Sequence, residues 1–114
     1  MVEKHITISA AGGTWVVRAQ GAVIAESSNA LKLYEGSADP VIYFPREDIG
    51  MIFLEDSDQT SHCPHKGDAT YFHIEGKSGR IENAGWSYVT PKEEVSRIAG
   101  HIAFYEDKAT VEQL

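Results

Sequence analysis

Turn signals interrupt this chain at short intervals, and that punctuation constrains the fold more than any other feature. Ala11-Gly12-Gly13, the stretch from Glu35 to Pro40, Pro45, the stretch from Gly76 to Gly79, and Gly100 leave only short apolar segments between them. Segments of that length suit strands better than helices. Residues 5–9 alternate apolar and polar, the pattern of a half-buried strand. The turn at Ala11-Gly12-Gly13 predicts a hairpin to a second strand over 14–19. Residues 22–25 read as a third strand, whereas 30–34 carry no clear signal. Residues 41–44 form a strand stopped by Pro45, which opens a single helical turn through Asp48. Residues 51–54 read as a buried strand and 55–67 as a long polar loop. Residues 70–74 enter a hairpin turn at Gly76-Lys77-Ser78-Gly79, whose return strand starts at Arg80 and ends near Val89. Residues 102–105 are the last core strand.

A single helix signal stands out. Thr90 can cap, Pro91 suits a first helical position, and Glu93 completes a capping box. Val95 and Ile98 would share its core face, and Gly100 would end it. The expected class is all-β or β-dominated. Short antiparallel strands would form a barrel-like or two-sheet arrangement, with one short helix near residues 91–99. A doubly wound fold is excluded, because it needs helices between successive strands. A chain of 114 residues has room for one such core, so residues 1–114 read as a single domain.

Charge and cysteine content narrow the function classes. The formal net charge is −7, and no Lys/Arg run forms a basic stripe. Such a surface repels phosphate backbones, so no nucleic-acid polymer is expected as a partner. One Lys and one Arg could still neutralise a small phosphate. Cys63 is the single cysteine, so no internal disulfide can form, as in a reducing compartment. Residues 1–5 lack the apolar block of a signal peptide, and no run approaches the ~20 apolar residues of a membrane span. The expectation is a soluble, cytoplasmic protein.

Several motifs fail on their own terms. Gly76-Lys77-Ser78 resembles the end of a phosphate-binding P-loop, but the earlier glycine is replaced by Tyr71 and a strand follows. Cys63-Pro64-His65 resembles half of a Rieske site, which needs a second cysteine that the chain lacks. His62, Cys63, His65, His73 and His101 lack the pair spacing of structural zinc, so no metal is expected. Asp56-Ser57-Asp58 reads as a solvated acidic loop.

What remains is a set of four blocks. They are residues 60–71 around Cys63-Pro64-His65-Lys66-Gly67, residues 41–49, residues 83–88 and residues 98–105. In order and spacing, over about residues 14–105, they resemble the "domain of unknown function 427" family. The resemblance implies a small, β-rich, mostly bacterial protein. The family also carries the label nucleotidyltransferase-like, without a mechanism attached. The chain departs from the family at His65, where an aromatic residue is usual, at Asp56, where an acid is unusual, and at Phe72, where Trp is common. The first departure weakens a catalytic or metal role for His65, and the second weakens a metal role for the acidic triplet.

The residues of these blocks suggest a site in their own right. Arg46 and Lys66 supply cations, while Tyr43, Tyr71, Trp86 and Tyr88 supply flat amphipathic walls. Trp86 and Tyr88 are two apart and share one face of a strand. His101 follows the helix and is either a capping cation or a site residue. Cys63 is either a small packed side chain or a nucleophile activated by Lys66 or a histidine. The expectation is a domain that binds a small anionic or nucleotide-like ligand through Tyr43, Arg46, Lys66, Tyr71, Trp86, Tyr88 and His101. Cys63 is the candidate catalytic residue, no cofactor is identified, and whether the protein is an enzyme stays open. The alternative is a non-catalytic interaction module or homodimer, with the aromatics as its interface.

Overall fold

The computed structural model describes residues 5–114; the signal-peptide reading of residues 1–4 lies outside them. Ten strands are present: β1 (Ile6–Ala10), β2 (Trp15–Ala19), β3 (Ala22–Ser27), β4 (Leu31–Glu35), β5 (Val41–Tyr43), β6 (Leu54–Cys63), β7 (Gly67–Gly76), β8 (Gly79–Ser87), β9 (Ile102–Phe104) and β10 (Thr110–Gln113). They form three antiparallel sheets, ordered β1-β4-β5, β10-β2-β3 and β6-β7-β8-β9. Phe44 and Ile102 exchange backbone hydrogen bonds of 2.8 and 2.9 Å, joining the first sheet to the third. The result is a β-dominated, two-sheet arrangement without a closed barrel.

The central strands are apolar on both faces, and the packing explains why. Along β5 and into the next residue, Ile42 and Phe44 enter one core cluster while Tyr43 enters another. β9 does the same, with Ile102 and Phe104 on one side and Ala103 on the other. On β7, Phe72 and Ile74 face the first cluster, and Ala69 and Tyr71 the second. Successive side chains of a strand point to opposite faces, so a strand covered on both sides must read as a continuous apolar run. The first cluster is closed by Val17 of β2 and by Ile24 and Ala25 of β3. The second is closed by Leu33, Val95 and Ile98.

Four expectations are corrected. β1 does not form a hairpin with β2 but pairs with β4, and Ala11 N–H extends that pairing to Ala30 O at 2.9 Å. The glycine pair instead carries the chain from one sheet to another, because Ile6 and Ile8 pack on the second cluster and Val17 belongs to the first. The hairpin of that region is β2–β3, where Gln20 and Gly21 both adopt positive φ, as a tight hairpin turn requires. Residues 51–54 are not a buried strand. Met51–Phe53 is a 3₁₀ turn closed by Phe53 N–H on Gly50 O, and Ile52 is 90% exposed.

The stretch 55–67 is a strand through Cys63 rather than a loop. It is an edge strand, largely exposed and bulged between Asp56 and Thr60, so no apolar alternation betrays it. The short helix expected near residues 91–99 is present as a 3₁₀ segment, Glu93–Ile98, with non-helical geometry at Val95, and what is corrected is its cap: no side chain caps it. Its start is fixed by Lys92 N–H donating to Lys66 O at 2.9 Å, which makes a Thr90 cap unnecessary. Val95 and Ile98 are buried as expected, and Arg46–Asp48 forms the turn expected after Pro45.

Phe44 is fully buried at the junction of the sheets, whereas Ile52 is on the surface. Phe44→Ala should therefore cost about 3–5 kcal/mol in urea unfolding, and Ile52→Ala should stay within about 0.5 kcal/mol. Equal losses for the two would contradict this packing.

Candidate functional site

The Cys63–Gly67 turn places the site's ammonium group. Lys66 N–H closes the turn on Cys63 O at 3.1 Å, and Gly67 follows with φ of +115°, a backbone angle that side chains disfavour. Anchored through its own carbonyl to Lys92, Lys66 points its side chain at β4, where Nζ donates to Glu35 Oε1 at 2.7 Å. Both side chains are largely buried, 11% and 19% exposed.

Beside this pair opens a cavity of about 230 Å³. Its aromatic walls are Tyr43 from β5, Tyr71 from β7, Trp86 from β8, Tyr88 just beyond β8, and Tyr105 just beyond β9. Sheet register brings them together, because Tyr71 pairs with Trp86 and Trp86 with Ala103. The indole N–H of Trp86 donates to Tyr43 Oη at 3.3 Å, and the two rings meet edge to face. Tyr105 lies tilted against Trp86 with centroids 4.5 Å apart. Tyr71 Oη and Ser61 Oγ share a hydrogen bond of 2.8 Å. Asp39, on the loop after β4, contributes a second carboxylate to the lining.

A family model described as a domain of unknown function (DUF427) matches residues 7–113. The chain belongs to the DUF427 family. No curated protein matches it.

Of the residues singled out in the sequence, the DUF427 domain brings Tyr43, Lys66, Tyr71, Trp86 and Tyr88 to one cavity. Arg46 and His101 do not line it. The Arg46 guanidinium donates through Nε to Gly100 O at 2.6 Å, reaches Ser87 Oγ at 3.4 Å, and lies 5.3 Å from the Phe72 ring centroid. It is a tie between the 3₁₀ turn after β5 and the end of β8. His101 Nδ1 faces Ala99 O at 3.2 Å. Cys63 is half-buried against the second cluster, below Lys66 and outside the cavity lining. His62 pairs with Asp68 on the surface, and Asp56 and Asp58 are exposed on β6. Among the described residues, no group of three or more His, Cys, Asp or Glu could hold a metal ion.

Sequence reading missed Glu35 and Asp39, which flank an apparently ordinary turn at Gly36. The only signal was an acid at each end of a loop that follows a weakly patterned strand. In the sequence Tyr105 reads only as the end of the core strand over residues 102–105.

Three of the cavity's phenols are raised above the ordinary tyrosine value. Burial pushes Tyr43 up to about 12 against the pull of its Trp86 hydrogen bond, with nearby Cys63 and Glu35 adding to the rise. Burial and its hydrogen bond with Tyr71 push Tyr105 up to about 12. Burial also raises Tyr88, more than the Lys66 ammonium lowers it. For Lys66 burial opposes the charge, but the Glu35 hydrogen bond, together with Cys63 and Tyr88, outweighs it and the pKa rises.

These groups hold their protons to higher pH folded than unfolded, where Tyr titrates near about 10 and Lys near about 10.4. The folded state then binds more protons than the unfolded one in that range. Their stabilisation is complete below about pH 10 and is lost as pH rises through the folded values. Tyrosinate absorbance should therefore lag behind that of free tyrosine and rise together with alkaline unfolding. A Tyr43→Phe variant should lose part of the late-titrating signal. Titration of Tyr43, Tyr88 and Tyr105 near pH 10, with the fold intact, would contradict the geometry.

Proposed function

We propose that this DUF427 domain binds a small planar molecule in the cavity between the β4–β5 end of the first sheet and strands β7 and β8. The observation that carries the reading is the convergence of five aromatic walls, from four separate segments of the chain, on one cavity beside a buried ion pair. The aromatics turn inward around a concave space. A protein-binding patch would instead present them on a flat surface, so the small-ligand reading is favoured over the interaction module.

Size and charge narrow the ligand. Pockets for drug-sized molecules usually start near 300 Å³, so a cavity of about 230 Å³ suits a single heterocycle better than a whole nucleotide. The expected pair of cationic anchors does not converge. Lys66 is held by Glu35, and Arg46 is engaged with Gly100 and Ser87. The family model's designation as a nucleotidyl-transfer family agrees with a base-like ring in this space. A polyphosphate tail would meet one ammonium and two carboxylates. The function best supported is thus ring binding: stacking on Trp86 and Tyr43, hydrogen bonds from protonated tyrosine hydroxyls, and no polyanion requirement.

A thermal-shift screen of purines, pyrimidines and other compact heterocycles tests this. A ligand at ~100 times its dissociation constant should add about 2.7 kcal/mol and raise the melting temperature by several degrees. The shift should vanish in Trp86→Leu, provided that variant still melts cooperatively. Cooperative melting with no shift from any ring compound would remove the reading.

A further inference from the structure

The charges around the cavity say more about its ligand than its shape does. Among the described residues, the titratable side chains of the lining are Glu35, Asp39, Lys66 and the four tyrosines. The ammonium of Lys66 and the carboxylate of Glu35 neutralise one another at 2.7 Å. Asp39 has no side-chain hydrogen bond or ion pair with any described residue and is exposed on the loop at the cavity. Among the described residues of the lining, two carboxylates stand beside one ammonium.

The walls add to that bias. An aromatic ring presents a negative face, and an indole is the best cation acceptor among the side chains. Two of these rings already draw the chain's own cations. Lys66 Nζ lies 5.9 Å from the Tyr88 centroid, and Lys108 Nζ lies 5.6 Å from that of Tyr105. An anion would gain Lys66 only by competing with Glu35 for its ammonium.

Resting on the small-ligand reading above, we infer that the cavity selects a planar or compact molecule bearing an organic ammonium group, which the aromatic walls and the Asp39 carboxylate receive together. Lys66 and Glu35 then act as a fixed, neutral end of the cavity. The ligand's amine lies toward Asp39, away from the Lys66 ammonium.

Three probes that share one ring test the charge preference separately from ring binding: phenethylamine, phenethyl alcohol and phenylacetate, titrated calorimetrically into the full chain. The amine should bind roughly tenfold more tightly than the alcohol, the scale of a partly exposed cation–aromatic contact with one charge partner. Phenylacetate should bind most weakly, and added salt should narrow the gap between amine and alcohol. Asp39→Asn, a change on an exposed loop, should bring the ratio of amine to alcohol affinity down toward one. An alcohol that binds as well as the amine, or an Asp39→Asn variant that keeps the preference, overturns the ammonium inference and leaves the small-ligand reading standing. Failure of all three probes, together with failure of the heterocycle screen, overturns both.

Discussion

The exchange of backbone hydrogen bonds between Phe44 and Ile102 is the contact on which the rest of this molecule depends. It joins the sheet that ends in β5 to the sheet that ends in β9, and so creates a continuous layer with a core on each face. One face packs against β2 and β3. The other is closed only in part, by Leu33, Val95 and Ile98. The aromatic side chains at the remaining opening line the cavity. Tyr43 shows the link most directly, because its backbone neighbour Phe44 makes the junction while its own hydroxyl meets Trp86 in the cavity wall.

The buried Lys66–Glu35 pair depends on the same architecture. A largely buried ammonium is costly unless a partner is delivered to it, and the two residues come from distant parts of the chain. The tight turn at Cys63 and Gly67, docked on the backbone of Lys92, supplies one half. The end of β4, fixed by its pairing with β1 and β5, supplies the other. Such a pair fixes one end of the cavity and removes the cation that an anionic ligand would need.

Much of the fold was legible because its central strands are apolar on both faces. Residues 41–44, 70–74 and 102–105 read as strands and bury most of their side chains, whereas the equally apolar 51–54 begins as a 3₁₀ turn that exposes Ile52. The exposed strands were not legible in this way. β6 and β10 are edge strands with little apolar content, and pattern alone cannot distinguish them from loops. Strand pairing was equally hidden: the choice of β4 rather than β2 as partner for β1 is made by which core cluster Ile6 and Ile8 join. At the site, the aromatic walls and Lys66 could be read, since large aromatics and a lysine in a turn stand out. Glu35 and Asp39 could not, because their meaning comes from a cation and a cavity that other segments bring to them. Arg46 carried the right chemistry for an anion but is placed against Gly100, Ser87 and Phe72.

The indole N–H resonances of Trp86 and Trp15 offer the most direct test of the central claim, that the aromatic cavity is where this domain receives a ligand. Trp86 donates to Tyr43 in the cavity wall, while Trp15 donates to Gly12 O on a different sheet. In a two-dimensional NMR titration with a compact ring compound, the Trp86 signal should move saturably, accompanied by the backbone amides of residues 36–39, and the Trp15 signal should stay in place. Movement of Trp15 alone, or perturbations confined to the exposed face of β6, would contradict the account.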